Sequence, residues 1–244
     1  GPVMLQNTKA KKYTYSLTNE TDFKCRIMEN GFNGLLLNMD TTEVMCRLIG
    51  SFNAYNLLAV YATAMLLGEN KQDTLTKLSM LGSVDGRFEY MRASNGVTGI
   101  VDYAHTPDAL ENVLRTISDI RKPSEKVITV VGCGGDRDTA KRPVMAKIAI
   151  DHNDQVILTS DNPRSEEPME IIRQMEQGIS NSMRSKTLSI SDRKEAIRTA
   201  IRLAKAGDII LIAGKGHENY QEIAGVKHPF SDKDILREEL NTLN

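Results

Sequence analysis

No apolar run in this 244-residue sequence approaches the ~18 residues that a membrane-spanning helix needs, and no stretch has the pattern of a signal peptide. Net charge is scarce too. The 31 Lys and Arg against 32 Asp and Glu leave a formal charge of -1, so bulk electrostatics point to neither nucleic acid nor an anionic membrane as a partner. Cysteine is sparse: Cys25, Cys46 and Cys133 are widely spaced and odd in number, which fits reduced thiols in a cytoplasmic protein. The four histidines, His105, His152, His217 and His228, show no metal-ligand spacing, so a structural zinc site is not expected. Internal repeats are absent and low-complexity content is negligible. What remains is an ordinary globular composition, 40 % hydrophobic and 26 % charged, long enough for one large domain or two smaller ones. Gly1-Pro2 reads as the remnant of a cleaved tag.

The chain has two textures. Residues 3–49 hold short β-like runs at 13–17, 25–28, 34–39 and 42–49 with turn residues between them, the pattern of the edge of an antiparallel sheet. A helix is expected over 51–67, with Leu57, Leu58, Tyr61, Ala62, Met65 and Leu66 at helical spacing and Gly68 as its stop. A second short helix follows over 69–82. A composition break at Ser83-Val84-Asp85-Gly86 then divides a segment 1–84 from a segment 85–244.

Beyond the break, β-α alternation sets in. Apolar runs at 97–101, 127–131, 155–159, 187–189 and 208–213 alternate with helical stretches that begin near Thr106, Arg142, Pro168, Asp192 and Ser231. The longer runs are continuous and do not alternate in polarity, so both of their faces should be buried in a mostly parallel sheet. Right-handed crossovers make this an α/β, Rossmann-like, doubly wound domain.

In such a fold, ligands meet the loops that follow the strands. After 155–160 comes Asp161-Asn162-Pro163-Arg164. Arg164 offers a planar fork of donors suited to a carboxylate, Asn162 adds a donor and an acceptor, and Asp161 could orient a cation or an ammonium group. Together they read either as a receptor for a zwitterion with an extra carboxylate or as a capped strand-to-helix loop. After 97–101 comes Asp102-Tyr103-Ala104-His105-Thr106-Pro107-Asp108, where Asp102 could chelate ribose hydroxyls and His105 could donate to an oxygen. After 127–131 comes Gly132-Cys133-Gly134-Gly135-Asp136-Arg137-Asp138. It approaches a dinucleotide fingerprint but has Arg137 where the last glycine belongs, which disfavours NAD. The expectation is a glycine loop that admits a ligand to the backbone while Arg137 supplies charge. After 208–213 comes Gly214-Lys215-Gly216-His217-Glu218. It fails the Walker A pattern and would suit a substrate ammonium and carboxylate. Upstream, Asn53 and Asn56 lie three apart at a helix start, where two amides could read an adenine edge or simply cap the helix. Gly86-Arg87-Phe88-Glu89 puts an arginine at the junction.

The order of these motifs, Gly-x-Phe-Asn-x-x-Asn, Gly-Arg-x-Glu, Asp-Tyr-Ala-His-Thr-Pro-Asp, Gly-Cys-Gly-Gly-Asp-Arg-Asp, Asp-Asn-Pro-Arg and Ala-Gly-Lys-Gly-His-Glu, resembles the Mur ligases of peptidoglycan synthesis over about residues 50–240. The resemblance implies a three-domain enzyme with a UDP-binding domain, a central ATPase domain and a Rossmann-like C-terminal domain. It implies addition of meso-diaminopimelate to UDP-N-acetylmuramoyl-L-alanyl-D-glutamate, with ATP as co-substrate, Mg²⁺ as its counterion and an acyl phosphate as intermediate. By position it assigns Asn53, Asn56, Arg87, Asp102 and, less specifically, His105 to the nucleotide. It assigns Arg137, Asp161, Asn162, Pro163, Arg164, Gly214 and Glu218 to diaminopimelate.

The family's Gly-Thr-x-Gly-Lys-Thr type phosphate loop does not occur in the 244 residues, nor do its UDP-binding domain and its modified, metal-holding lysine. Residues 1–84 are therefore expected to be the end of the central ATPase domain and 85–244 the C-terminal domain. The chain alone is expected not to make the amide. The other readings are a lysine-adding, other Mur or folyl-polyglutamate type of ligase, a non-catalytic amino-acid-binding module, and a nicotinamide-dependent oxidoreductase.

Overall fold

The computed structural model describes residues 5–243, so Gly1-Pro2 lies outside the described residues. The chain divides into two compact units, Gly1–Gly82 and Ser83–Asn244.

The first unit is a four-stranded sheet covered by helices. Strands β1 (Tyr15–Ser16), β2 (Phe23–Gly31), β3 (Gly34–Met39) and β4 (Thr42–Cys46) lie in that order. β2, β3 and β4 pair antiparallel, as the alternating runs predict. β1 departs from that expectation: it is only two residues long and runs parallel to β2. Helix α1 (Ser51–Leu66) buries Ala54, Leu57, Leu58 and Tyr61, and α2 (Lys71–Met80) buries Leu75 and Leu78. Both meet the inward residues Leu35, Leu37 and Met39 of β3. Each such aliphatic side chain contributes roughly 1.5–3 kcal/mol by leaving water. The Asn70 side chain accepts the Asp73 amide and caps α2, while the Lys71 ammonium ties the same helix start to the Asp40 carbonyl at 2.7 Å.

The second unit is the Rossmann-like domain, a mostly parallel six-stranded sheet ordered β5-β6-β10-β7-β8-β9. The parallel strands are β6 (Thr98–Asp102), β7 (Val127–Cys133), β8 (Gln155–Ser160), β9 (Thr187–Ile190) and β10 (Ile209–Ala213), and β5 (Glu89–Arg92) closes one edge antiparallel. β7 and β10 are buried along their whole length, which accounts for their unbroken apolar sequences. Helices α3 (Pro107–Ile120), α4 (Lys141–His152) and α5 (Pro168–Glu176) pack side by side, and α6 (Arg193–Leu203) packs with α7 (Asp232–Leu240). Ile197, Ile201, Ile235 and Leu236 of the second pair bury against Ile128, Val130, Ile210 and Ile212 of the sheet.

The chain runs outward from β7 to β8 to β9, then returns through α6 to insert β10 between β6 and β7. Right-handed crossovers require that a reversal of direction put the helix on the opposite face. The reversal parts the loops after β6, β7 and β10, the place where open α/β sheets hold ligands. The edge strand β5 was not read from the sequence, nor was a hairpin of β11 (Tyr220–Ile223) and β12 (Val226–Pro229) between β10 and α7.

Candidate functional site

The loops after β6, β7, β8 and β10 enclose a cavity of about 450 Å³, within the usual range of small-molecule sites. Six of the seven residues assigned by resemblance to the amino acid line it: Arg137, Asp161, Asn162, Arg164, Gly214 and Glu218. Pro163 is not in the lining. It shapes the turn instead, its carbonyl accepting the Glu166 amide at 3.0 Å. His105, grouped with the nucleotide residues, lines this same cavity, as do Tyr103, Cys133, Asp138 and Lys141, which sequence reasoning did not single out.

The Asp161–Arg164 loop is over-determined. Arg164 has a φ of 52°, a left-handed conformation that non-glycine residues rarely adopt. The hairpin holds it there: the Arg164 amide donates to Glu222 O at 3.0 Å, and the Ala224 amide donates to Arg164 O at 2.7 Å. The Gln221 side chain donates to Asp161 O at 2.7 Å. The guanidinium donates from Nη1 to Gly135 O at 2.8 Å, and its Nε lies 3.6 Å from the Glu222 carboxylate. Arg164 also lines the cavity, where its guanidinium can meet a ligand carboxylate.

Gly132 and Gly134 of the loop after β7 line the cavity, and the same loop packs against its neighbour. A Cβ on Gly135 would lie 1.9 Å from Pro163 O, and one on Gly134 would lie 2.9 Å from Arg164 Nη1. Gly135 is required because the backbone of the neighbouring loop presses against it, its amide donating to Asn162 O at 2.9 Å, whereas at Gly134 the close atom is the end of the Arg164 side chain. Arg137 is exposed and lines the cavity. Fully buried Arg142 fastens the two loops from below, donating in bidentate fashion to Glu166 at 2.8 Å and to Gly134 O at 3.2 Å. The hydrogen bond from Arg142 holds the Glu166 carboxyl below the usual carboxylate range.

Two side chains expected to face a ligand are occupied within the protein. Asn162 donates to Glu218 Oε2 at 2.9 Å and accepts from the Glu222 amide at 2.9 Å and from Lys215 Nζ at 3.1 Å. Lys215 is fully buried and also donates to Glu218 Oε2 at 3.0 Å. Burial would raise the Glu218 pKa, but the hydrogen bonds from Lys215 and Asn162 outweigh it, and the group ends below its ordinary value. Cys133 borders the cavity, yet burial pushes its thiol up to about 12, so it is not a nucleophile at neutral pH.

The residues assigned to the nucleotide are partly engaged as well. Asp102 accepts the Phe88 amide at 2.8 Å, and burial raises its pKa despite that bond. Arg87 stacks over the Tyr103 ring at 5.2 Å, and the His105 and His217 rings lie 4.6 and 5.2 Å from the same ring. In the first unit, the Asn53 side chain donates to Ile49 O at 2.8 Å, and Asn56 donates to Asn53 Oδ1 at 3.4 Å. Asn53 thus secures the start of α1 while Asn56 stays exposed.

The cavity is therefore lined by the cations Arg137, Lys141 and Arg164 and by the carboxylates Asp138, Asp161 and Glu218. That pairing suits an amino acid with more than one charged end. Among the described residues, no three His, Cys, Asp or Glu side chains converge as ligands for a metal ion.

Residues 86–216 match the family described as Mur ligase, glutamate ligase domain. The chain belongs to the Mur ligases. A relative of this Mur ligase chain from Cytophaga hutchinsonii, named UDP-N-acetylmuramoyl-L-alanyl-D-glutamate--2,6-diaminopimelate ligase, is 58 % identical over 243 residues, covering 100 % of this chain and 50 % of that protein. A protein of the same name from Bacteroides thetaiotaomicron is 58 % identical over 241 residues, covering 99 % and 50 %. A solved structure of a ligase of that name aligns with a TM-score of 0.71 at 41 % identity, over 95 % of this chain and 48 % of the other. UDP-N-acetylmuramate-alanine ligase from Thermotoga maritima, at 18 % identity, shares the fold with a TM-score of 0.65 over 93 % and 47 %. The Mur ligase chain spans about half the length of the curated relatives it matches. No helix among its described residues is long and apolar enough to cross a membrane.

Proposed function

We propose that this chain is the amino-acid-selecting part of a cytoplasmic, ATP-dependent amide ligase that adds meso-diaminopimelate to UDP-N-acetylmuramoyl-L-alanyl-D-glutamate in peptidoglycan synthesis. On this reading residues 1–84 belong to the central ATPase domain and residues 85–244 are the C-terminal domain. The observation that carries it is the convergence of Arg137, Arg164, Asp161 and Glu218 around one cavity. The names of the 58 % identical relatives support the same substrate.

A carboxylate resists attack by an amine. A γ-carboxylate oxygen of D-glutamate attacks the γ-phosphorus of ATP, the bond to the bridging oxygen breaks, and ADP leaves, giving an acyl phosphate. The amine then attacks the acyl carbon, phosphate leaves with the bonding electrons, and the nitrogen releases its proton. This chain's part is to hold the amino acid in place for that attack. Asn53, Asn56, Arg87, Asp102 and His105 are the residues proposed to face the nucleotide. Mg²⁺ would accompany the ATP phosphates as their counterion, since such ions are usually held by one or two carboxylates together with phosphate oxygens.

Diaminopimelate differs from lysine by a second carboxylate beside the distal amine. Arg164 attracts that carboxylate, whereas lysine would bring only an ammonium toward the guanidinium. Calorimetric titration of the chain with meso-diaminopimelate, L-lysine and NADH tests the reading. Binding of diaminopimelate with at least about tenfold preference over lysine is expected. Equal binding of the two would favour a lysine-adding or unselective ligase, and binding of NADH alone would overturn the assignment.

A further inference from the structure

We propose that Lys215 is a buried positioning cation that acts through Glu218, keeping that carboxylate ionised and aimed at the ammonium end of the amino acid. The inference rests on the amino-acid site proposed above. Lys215 follows β10 directly and is fully buried, and it is not part of the cavity wall. Its ammonium is used up inside the protein: Glu218 Oε2 at 3.0 Å, Asn162 Oδ1 at 3.1 Å and the Tyr220 ring at 5.6 Å. Nothing is left for a ligand carboxylate. Glu218, by contrast, reaches the cavity while its Oε2 is held from behind by Lys215 and Asn162.

A buried cation is a poor device for stability, because apolar residues of similar volume commonly serve as well. Its charge must be explained by what it does to Glu218. The other charged groups around Glu218 do not replace it. Arg164, from the loop after β8, is shared with Glu222 of the hairpin. Arg193, from α6, is bound to Asp232 at 2.7 Å. Asp161, from the loop after β8, adds negative charge to the same cavity, and Tyr103 and His105 reach it from the loop after β6. Among the described residues, Lys215 has no acid partner but Glu218. Arg137, Asp138 and Lys141 line the same cavity from the loop after β7 and the start of α4, but none is bonded to Glu218 among the described residues; with Lys215 removed, Glu218 loses its ion-pair partner and takes up a proton more readily. A neutral carboxyl no longer attracts an ammonium.

The test is calorimetry of the 244-residue chain and its Lys215→Met variant, with meso-diaminopimelate and with 2-aminopimelate, which lacks one amino group, across about pH 3 to 8, a range that brackets the ordinary carboxyl pKa of about 4. The unaltered chain should prefer diaminopimelate. Lys215→Met should weaken diaminopimelate about tenfold or more, shrink its preference over 2-aminopimelate to within about threefold, and move the acid limb of binding to higher pH. In a Glu218→Gln background, Lys215→Met should cause no further loss. Weaker binding with preference and pH limb unchanged would mean a merely structural role and would overturn this inference alone. Absence of diaminopimelate binding by the unaltered chain would overturn the site assignment and this inference with it. If Lys215→Met does not fold, the Glu218 carboxyl carbon is followed by NMR in the unaltered chain. A midpoint below 4.5 is expected, and one at or above 4.5 would exclude the role assigned to Lys215.

Discussion

Arg164 combines an unusual backbone with a specific side chain, and the two can be separated experimentally. Its φ of 52° is imposed by bonds to Glu222 and Ala224, so any L-residue placed there bears similar strain. Arg164→Lys keeps a positive charge but loses the planar fork and the bond to Gly135 O. Calorimetry should show diaminopimelate affinity falling by about 10- to 100-fold, as for a lost charge-assisted hydrogen bond of about 1.5–3 kcal/mol, with nucleotide affinity little changed. Equal losses for both ligands would assign Arg164 to folding. A second residue-scale prediction concerns acid. Burial would raise the Glu218 pKa, but the bonds from Lys215 and Asn162 hold it below its ordinary value, so its contribution to stability is full above the unfolded value and is lost as pH falls through the folded one. Glu218→Gln should therefore flatten the stability profile below about pH 4.5 in denaturant titrations, while at neutral pH the variant is the less stable. The strand-tip position and chemistry of Arg164 and Glu218 were readable from the sequence. The internal use of Asn162 and Lys215 was not, because it depends on the approach of loops more than fifty residues apart.

The hairpin β11–β12 acts on the site as an element, since it forms a third rail along the Asp161–Arg164 loop. Its two-residue turn, Ala224-Gly225, has positive φ at both positions, 49° and 77°, as a type I′ turn requires. Glycine meets that demand at 225, and alanine meets it poorly at 224. Ala224→Asn should raise stability by up to about 1 kcal/mol in urea titration without weakening diaminopimelate binding. A loss of stability would show that the turn is set by contacts outside the hairpin. The facing loop should respond in the opposite sense. At Gly135 a methyl group would overlap Pro163 O, and the obstacle is backbone, so Gly135→Ala should destabilise by about 1–3 kcal/mol and loosen the pocket. These elements also show why the sequence was legible only in part. β7, β8 and β10 announce themselves through continuous apolar runs, and α3, α6 and α7 through Thr106, Asp192 and Ser231, which do cap them. β5 and the hairpin are short, polar edge structures whose residues are mostly half-exposed or exposed, and Ala-Gly is a weaker turn signal than Asn-Gly.

At the scale of the molecule, the division at Gly82 and Ser83 separates two cores that each close on themselves. The core of the first unit joins β3 to α1 and α2, and that of the second joins the parallel sheet to α6 and α7. Every residue lining the proposed amino-acid cavity lies between Tyr103 and Glu218, so the site needs no side chain from residues 1–82. Its scaffold is equally local: Arg142 spans the loops after β7 and β8, and the buried Arg193–Asp232 pair ties Ala213 O at 3.0 Å, at the tip of β10, to the start of α7. A shorter protein comprising residues 83–244 should therefore unfold in a single cooperative transition by circular dichroism. It should bind meso-diaminopimelate within about threefold of the 244-residue chain, a difference of about 0.7 kcal/mol at most. Non-cooperative melting would show that the second core is not self-sufficient. Cooperative melting with lost binding would show that the pocket's geometry, though not its residues, depends on the first unit.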